Sequence, residues 1–160
     1  MEVFTEEWAN ACCEALNRGG VYSVAAAEWE EGVSVLSMSA DPAHGIMEDR
    51  AVFIDAHRGH CRGARMASEA DIEAAPYVFR ADAATWKRLL AGEVEPVTAV
   101  MQGKLKLVRG SLFALAKHAK AATAMVAAAG EVGGSFPASR TTADAAYASS
   151  DAPEDDAANG

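Results

Sequence analysis

The sequence of 160 residues lacks the features of several broad protein classes. It has no apolar run near the roughly 18 to 20 residues that a membrane-spanning helix requires. Residues 1–18 carry acids where a secretory signal would carry positive charge, so we expect a cytoplasmic protein. Lys and Arg number 14 against 23 Asp and Glu, giving a net charge of −9. We therefore expect no nucleic-acid partner, since binding phosphates needs a clustered basic field.

Cysteine is scarce as well. There are three cysteines, and the neighbours Cys12 and Cys13 would form a strained pair with each other, so we expect no disulfide framework. His57, His60 and Cys61 are zinc-ligand types, but no second group follows at a useful spacing. Along an extended strand the two histidines would point to opposite faces. The sequence therefore predicts no metal site.

Catalytic fingerprints are also missing. The sequence has no phosphate-binding loop, nucleophile elbow or dinucleotide-binding glycine pattern. Asp55 and Asp82 interrupt apolar patterns, yet nothing brings the two carboxyl groups together, and Asp82 is well placed to cap a helix. We expect a protein that is not an enzyme and needs no cofactor.

The composition changes after about Ala129, where Gly, Ser, Pro and acids replace periodic apolar residues. Residues 131–160 hold six acids and one base, so they contribute −5 of the −9. Such a segment has little apolar surface to offset its ordering entropy. We predict one domain over residues 1–129 and an acidic, disordered tail over residues 130–160.

What the domain does contain is an ordered series of helix and strand patterns. Helical spacing of apolar residues runs from Phe4 to Leu16, and strand patterns follow. The strand candidates are residues 33–39, 51–56, 61–67, 77–81 and 104–109, the second and third forming a hairpin around Arg58-Gly59. Two short helices, one carrying Trp86 and one starting at Pro96, precede the last strand, and one closing helix starts at Gly110-Ser111. This order predicts an α+β fold.

The stretch from Trp86 to Pro96 carries the most specific pattern. A short helix led by an aromatic residue is followed by Gly92-Glu93-Val94-Glu95-Pro96, and a second short helix ends in Val100-Met101-Gln102-Gly103-Lys104-Leu105-Lys106. A glycine, Gly110, precedes the closing helix. This run resembles the sterol carrier protein type two family, in its stand-alone prokaryotic form. The resemblance covers about residues 1–129 and is most specific in its C-terminal half.

The resemblance implies a five-stranded, mostly antiparallel sheet covered by helices on one side, with an apolar tunnel between them. It implies a non-catalytic carrier that binds and transfers a fatty acyl chain, an acyl-CoA or a sterol-like lipid. On the closing helix, Ala116, Ala119 and Ala122 would leave room against the sheet. The residues expected to line the tunnel are Trp8, Phe53, Phe79, Trp86, Leu89, Val100, Met101, Leu105, Leu107, Leu115 and Ala119.

Two alternatives stay open at this point. Bulky side chains could fill the interior, because apolar stripes usually form a core. The domain could also be an accessory or dimerising module for a lipid- or quinone-related enzyme, docking through its sheet or terminal helix. On the closing helix, Phe113, Lys117 and Lys120 share the side opposite the interior residues. An aromatic residue flanked by lysines suits a headgroup layer, so the pattern predicts transient membrane contact.

Overall fold

One mixed sheet organises the fold, with its strands in the order β3-β2-β1-β4-β5. The computed structural model describes residues 1–137. The strands are β1 Ser34–Met38, β2 Arg50–His57, β3 His60–Met66, β4 Tyr77–Ala81 and β5 Lys106–Arg109. β1 and β4 are parallel, and the other three neighbouring pairs are antiparallel. The predicted α+β fold with a mostly antiparallel five-stranded sheet is confirmed.

The helices are short, and local sequence signals fix their ends. They are α1 Glu6–Leu16, α2 Val21–Ala25, α3 Glu69–Ala74, α4 Ala83–Leu90, α5 Pro96–Met101, α6 Leu112–Lys117 and α7 Ala119–Val132. Asp82 caps α4 as predicted, its Oδ1 accepting from the Thr85 amide at 2.8 Å. The sequence prediction missed α3, which starts with a capping box between Ser68 and Asp71. Within residues 1–137, no helix is both long and apolar enough to cross a membrane.

The closing helix is divided in two, where the sequence predicts one continuous helix. His118 leaves the helical conformation (φ −105°, ψ 32°) and separates α6 from α7. Its ring packs edge-on against Trp29, with 5.2 Å between ring centres. The break changes which alanines face the sheet. Ala116 is exposed, whereas Ala121 and Ala129 are buried.

The two faces of the sheet are covered unequally. The face that carries Leu36 and Phe79 packs against the helices and forms the main core. On the opposite face, Val35 and Val78 form a small cluster with Ile72 of α3. The helices therefore lie mainly on one side, as the resemblance implies, with α3 as the exception.

The predicted hairpin between β2 and β3 is confirmed. Its turn residues Arg58 and Gly59 both have positive φ (52° and 85°), as a type I′ turn requires. A Cβ at position 59 would overlap the carbonyl oxygen of Ser23, so glycine is needed there. His57 and His60 face each other across the turn. The expectation that they point to opposite faces is wrong, because they lie on two paired strands rather than one.

A disulfide bond between Cys13 and Cys61 joins α1 to β3. Their Cα atoms lie 5.5 Å apart, within the usual range for a disulfide. The expectation of no disulfide framework is wrong for this pair, because the fold packs α1 along β3. Cys61 is not free to ligate zinc, and the described residues contain no group of three or more His, Cys, Asp or Glu able to hold a metal ion.

Residues 133–137 fold back onto the start of the chain. The Val3 amide donates to the Ser135 carbonyl at 3.0 Å, and the Ser135 amide donates to the Met1 carbonyl at 2.9 Å. The indole of Trp8 donates to the Gly133 carbonyl at 3.1 Å. The folded part thus extends past residue 129, and the rest of the predicted tail, residues 138–160, lies outside the described residues.

Candidate functional site

An apolar cavity of about 50 Å³ lies between the helix-covered face of the sheet and the helices above it. Leu36 of β1 and Phe79 of β4 belong to the sheet side, because alternate residues of each strand face the helices. Among residues 1–137, the cavity is lined by Tyr22, Trp29, Ser34, Leu36, Phe79, Trp86, Pro96, Leu105, Leu115, Ala121, Ala122, Met125 and Val126. Five helices, two strands and two connecting segments thus contribute to one space.

Helix α7 forms most of the wall opposite the sheet. Ala121, Ala122, Met125 and Val126 are spaced so that they share one side of the helix. The two alanines leave space against the sheet, and Met125 has a flexible side chain that fills irregular gaps. The side chains that α7 contributes to this wall can therefore adapt to what they pack against.

A second cavity of about 10 Å³ adjoins the first and shares Leu36, Trp86, Met125 and Val126 with it. It extends towards α1, which contributes Trp8, Cys12 and Leu16. Burial raises the pKa of the Cys12 thiol to about 12, so this wall is uncharged. Together the two spaces follow α7 from Ala121 to Ala129.

The tryptophan side chains present their ring surfaces to the cavities. Trp86, which is 1% exposed, donates its indole N–H to the Ser37 carbonyl at 2.9 Å. Trp29 donates to the Gly32 carbonyl at 3.0 Å. Because these N–H groups are satisfied by backbone, the rings act as apolar walls.

The lining of the larger cavity carries two hydroxyl groups, those of Tyr22 and Ser34. Among the described residues, none that lines it has a charged side chain. Burial raises the pKa of Tyr22 to about 12, so its hydroxyl stays neutral at ordinary pH. The site is suited to an uncharged, mainly apolar group.

The residues predicted to line a tunnel fall into three groups. Those that line a cavity are Trp8, Phe79, Trp86, Leu105 and Leu115. Leu89 is buried in the main core, and Val100, Leu107 and Ala119 are half-buried.

Phe53 and Met101 lie away from both cavities. Phe53 pairs with Val35 and therefore faces the opposite side of the sheet, where the Arg65 guanidinium lies 4.1 Å from its ring centre. Met101 is 71% exposed at the end of α5. The apolar character of a strand residue alone does not specify which face the helices cover.

Several lining residues were not predicted. Leu36 and Ser34 could have been found from the strand alternation once the covered face was known. Met125 lies one turn before Ala129 on the apolar side of α7. Trp29 stands among Glu28, Glu30 and Glu31, and no periodic signal marked it.

The two carboxylates considered for catalysis have structural contacts instead. Asp55 pairs with Arg62 across the hairpin, with 3.0 Å between Oδ1 and Nη2. Asp82 caps α4. Neither side chain lines the two apolar cavities.

Comparisons with known proteins agree with this geometry. Residues 23–123 match the model of the SCP-2 sterol transfer family. A crystal structure of sterol carrier protein 2 is 41% identical, with a TM-score of 0.73, over 81% of this chain and 98% of that one. A solution structure from Thermus thermophilus, of a conserved hypothetical protein for which sterol carrier protein is the suggested identity, is 42% identical, with a TM-score of 0.73, over 87% and 94% of the two chains. A search of curated proteins found no match. The chain belongs to the SCP-2 sterol transfer family.

Proposed function

We propose that this protein binds one apolar lipid between the sheet and helices α5 to α7 and transfers it between lipid surfaces. The observation that carries the proposal is the apolar lining of the larger cavity, which has no charged side chain among the described residues. Apolar linings with a few polar groups are typical of small-molecule sites. The family's description as sterol transfer proteins supports the same function.

The size of the cavity sets a condition on this function. Ligand sites usually measure about 300 to 1,000 Å³, whereas the larger cavity measures about 50 Å³. Binding therefore requires a wall to move. The wall best suited to move is α7, because it is rich in alanine and begins at the break beside His118. A shift of α7 away from the sheet would join the two cavities into the tunnel that the resemblance implies.

The proposed carrier performs no chemistry of its own. Asp55 and Asp82 are engaged in an ion pair and a helix cap, respectively. Binding and release of an unchanged lipid need only apolar contact and access to the site.

We further propose that α6 is the surface at which lipid is exchanged. Phe113 on α6 is 84% exposed, Lys117 is exposed on the same helix, and Lys120 is exposed near the start of α7. Leu115, on the same helix, lines the larger cavity, so α6 connects the surface with the interior. Residues 96–130 contain five Lys and Arg and no Asp or Glu, although the chain as a whole is acidic. A basic surface with an exposed aromatic ring suits anionic headgroups.

Titration with a fluorescent fatty acid tests lipid binding. Three tryptophans, Trp8, Trp29 and Trp86, line the cavities, so ligand entry should change tryptophan emission saturably. The change should be much smaller in Trp86→Phe, because Trp86 lines both cavities. Phe53→Leu, on the opposite face of the sheet, is the matched control and should respond like the wild type. No saturable response to an acyl or a sterol probe would reject lipid carriage and favour the docking-module alternative.

Transfer to anionic vesicles tests the exchange surface. We expect a Phe113→Ala, Lys117→Glu double variant to transfer a fluorescent lipid several times more slowly at low salt, with unchanged equilibrium binding. The difference should shrink at high salt, since surface attraction is screened. An Arg18→Glu, Val24→Ala double variant alters exposed residues elsewhere and serves as the control. Equal transfer rates at low salt would exclude α6 as the exchange surface.

A further inference from the structure

Two hydroxyl groups stand out in the otherwise apolar lining of the larger cavity. Tyr22 on α2 is 3% exposed, and Ser34 at the start of β1 is 5% exposed. Within residues 1–137, neither hydroxyl has a hydrogen-bond partner. Among the described residues, the other buried tyrosine and the other buried serine do have one. The Tyr77 hydroxyl contacts Glu31 at 3.5 Å, and the Ser37 hydroxyl accepts from Arg80 at 3.4 Å.

Unpaired buried hydroxyls are unfavourable for folding. The great majority of buried polar groups in proteins have a partner, because leaving one without water or a hydrogen bond costs free energy. Phenylalanine at position 22 and alanine at position 34 would avoid that cost. Tyr22 also borders a surface groove with Arg18 and Glu131, but the cavity is the space that Tyr22 and Ser34 share. A polar group of whatever occupies the cavity is therefore the partner that fits both.

The surroundings indicate the charge of that polar group. A carboxylate or phosphate moved into this space would lose its hydration and, among the lining residues, meet no cation. The Tyr22 hydroxyl is neutral and can both donate and accept, as can that of Ser34. A single lipid hydroxyl within reach of both would accept from one of them and donate to the other.

We propose that Tyr22 and Ser34 together hydrogen-bond the uncharged hydroxyl head of the bound lipid, so that the cavity selects a long-chain alcohol over the carboxylate of the same length. The inference rests on the proposed lipid-carrying function and specifies the head group for it. Tyr22 lies on α2 and Ser34 on β1. Both can therefore bond the same hydroxyl group only when α2 and the sheet are packed together around the ligand.

Competition among three ligands of one chain length tests the proposal. Hexadecanol, hexadecane and hexadecanoate at pH 8, each supplied from the same neutral vesicles, displace a fluorescent lipid from the full-length protein. The wild type should prefer hexadecanol to both others. Tyr22→Phe and Ser34→Ala should each lower the alcohol-to-alkane affinity ratio by about fivefold to tenfold, the usual effect of one hydrogen bond. The controls Tyr77→Phe and Ser37→Ala should leave the ratio unchanged.

The outcomes separate this inference from the proposed function. If the fluorescent lipid itself does not bind to the wild type, lipid carriage fails. If it binds but hexadecanol competes no better than hexadecane, the head-group proposal is overturned. If the wild type prefers hexadecanol but the ratio is the same in Tyr22→Phe and Ser34→Ala, the hydroxyls do not recognise the head group. An equal loss of affinity for all three ligands, with a lower melting temperature, would also overturn the proposal, because it would show a purely structural role. We expect the melting temperature of both variants to match or exceed that of the wild type, since each removes an unpaired buried hydroxyl.

Discussion

Helices α1 and α7 cover the same face of the sheet but are held there differently. α1 is joined to β3 by the Cys13–Cys61 bond. Its Asn17 side chain also exchanges two hydrogen bonds with the Cys61 backbone, at 2.8 and 2.9 Å. The Glu6 carboxylate accepts from the Met66 amide at 2.9 Å. These contacts also cover the edge of β3, whose unpaired backbone groups could otherwise bond to a strand of another chain.

Helix α7 is held by apolar packing against α1, α2, α4 and α5, and by the return of residues 133–137 at its C-terminal end. Its other end begins directly after the break at His118. Both cavities lie against α7, whereas α1 borders only the smaller one. In the function proposed above, α1 is the fixed wall and α7 is the wall that moves.

Removing the disulfide should have the largest effect, because it turns the fixed helix into one held by non-covalent contacts alone. Reduction, or a Cys13→Ser substitution, should lower the free energy of unfolding by about 3 to 4 kcal/mol, given the sequence separation of 48 residues. Thermal unfolding with and without reductant measures this. Cys12→Ser lacks the remaining thiol and should keep the full dependence on reductant. A wild type that melts identically in both conditions would show that the bond does not form in solution.

Two truncations examine the anchored end of α7. Deleting residues 131–160 removes the hydrogen bonds that Gly133 and Ser135 make with the start of the chain and should lower the free energy of unfolding by about 2 to 3 kcal/mol, at roughly 1 kcal/mol per bond. Deleting residues 138–160 retains these contacts and should leave the melting temperature unchanged. Calorimetry on both truncated proteins measures their melting temperatures. If the two truncated proteins melt alike, residues 131–137 do not anchor the helix.

One alanine-to-leucine substitution on each helix sharpens the comparison directly. Ala9 on α1 is fully buried, so Ala9→Leu should overpack the core beside α1 and lower the free energy of unfolding by about 1 to 3 kcal/mol. Ala122 borders the larger cavity, so Ala122→Leu should cost less than about 1 kcal/mol. The same variant should weaken lipid binding at least about tenfold, because it occupies the ligand's space. Urea unfolding and lipid titration of both variants test this. If the two variants lose the same free energy of unfolding, α7 is no more adaptable than α1.

The smallest effect concerns the outer face of the sheet, which neither helix touches. Hydrogen bonds from Arg65 and from the Ser68 backbone hold the pKa of Asp71 well below its ordinary value. The unfolded chain therefore binds this proton more readily, and the contribution of Asp71 to stability is lost as the pH falls below about 4. An Arg65→Gln variant should show a shallower loss of stability between pH 5 and 2 in acid titrations followed by circular dichroism. Its lipid affinity at pH 7 should equal that of the wild type. If Arg65→Gln and the wild type lose stability equally as the pH falls, the Arg65–Asp71 pair does not contribute to stability.

The sequence predicted best those elements whose signals are local. The hairpin follows from Arg58-Gly59, and α4 follows from Asp82 and the spacing of Trp86 and Leu89. The break at His118 was missed because the residues on both sides have good helical spacing, and the contact that accompanies it is with the distant Trp29. For the candidate site, the residues found were large apolar ones in α1, β4, α4 and α6 and directly before β5.

By itself, the sequence determined the family, the α+β order of elements and the apolar character of the interior, because these depend on residue type and on spacing along the chain. Tertiary structure decided which strand face the helices cover, placing Phe53 outside and Ser34 inside. It also decided that Cys13 meets Cys61 and that Tyr22 joins the cavity wall. These outcomes depend on contacts between residues far apart in the chain. A change of one residue in strand register would reverse the faces without altering any local signal.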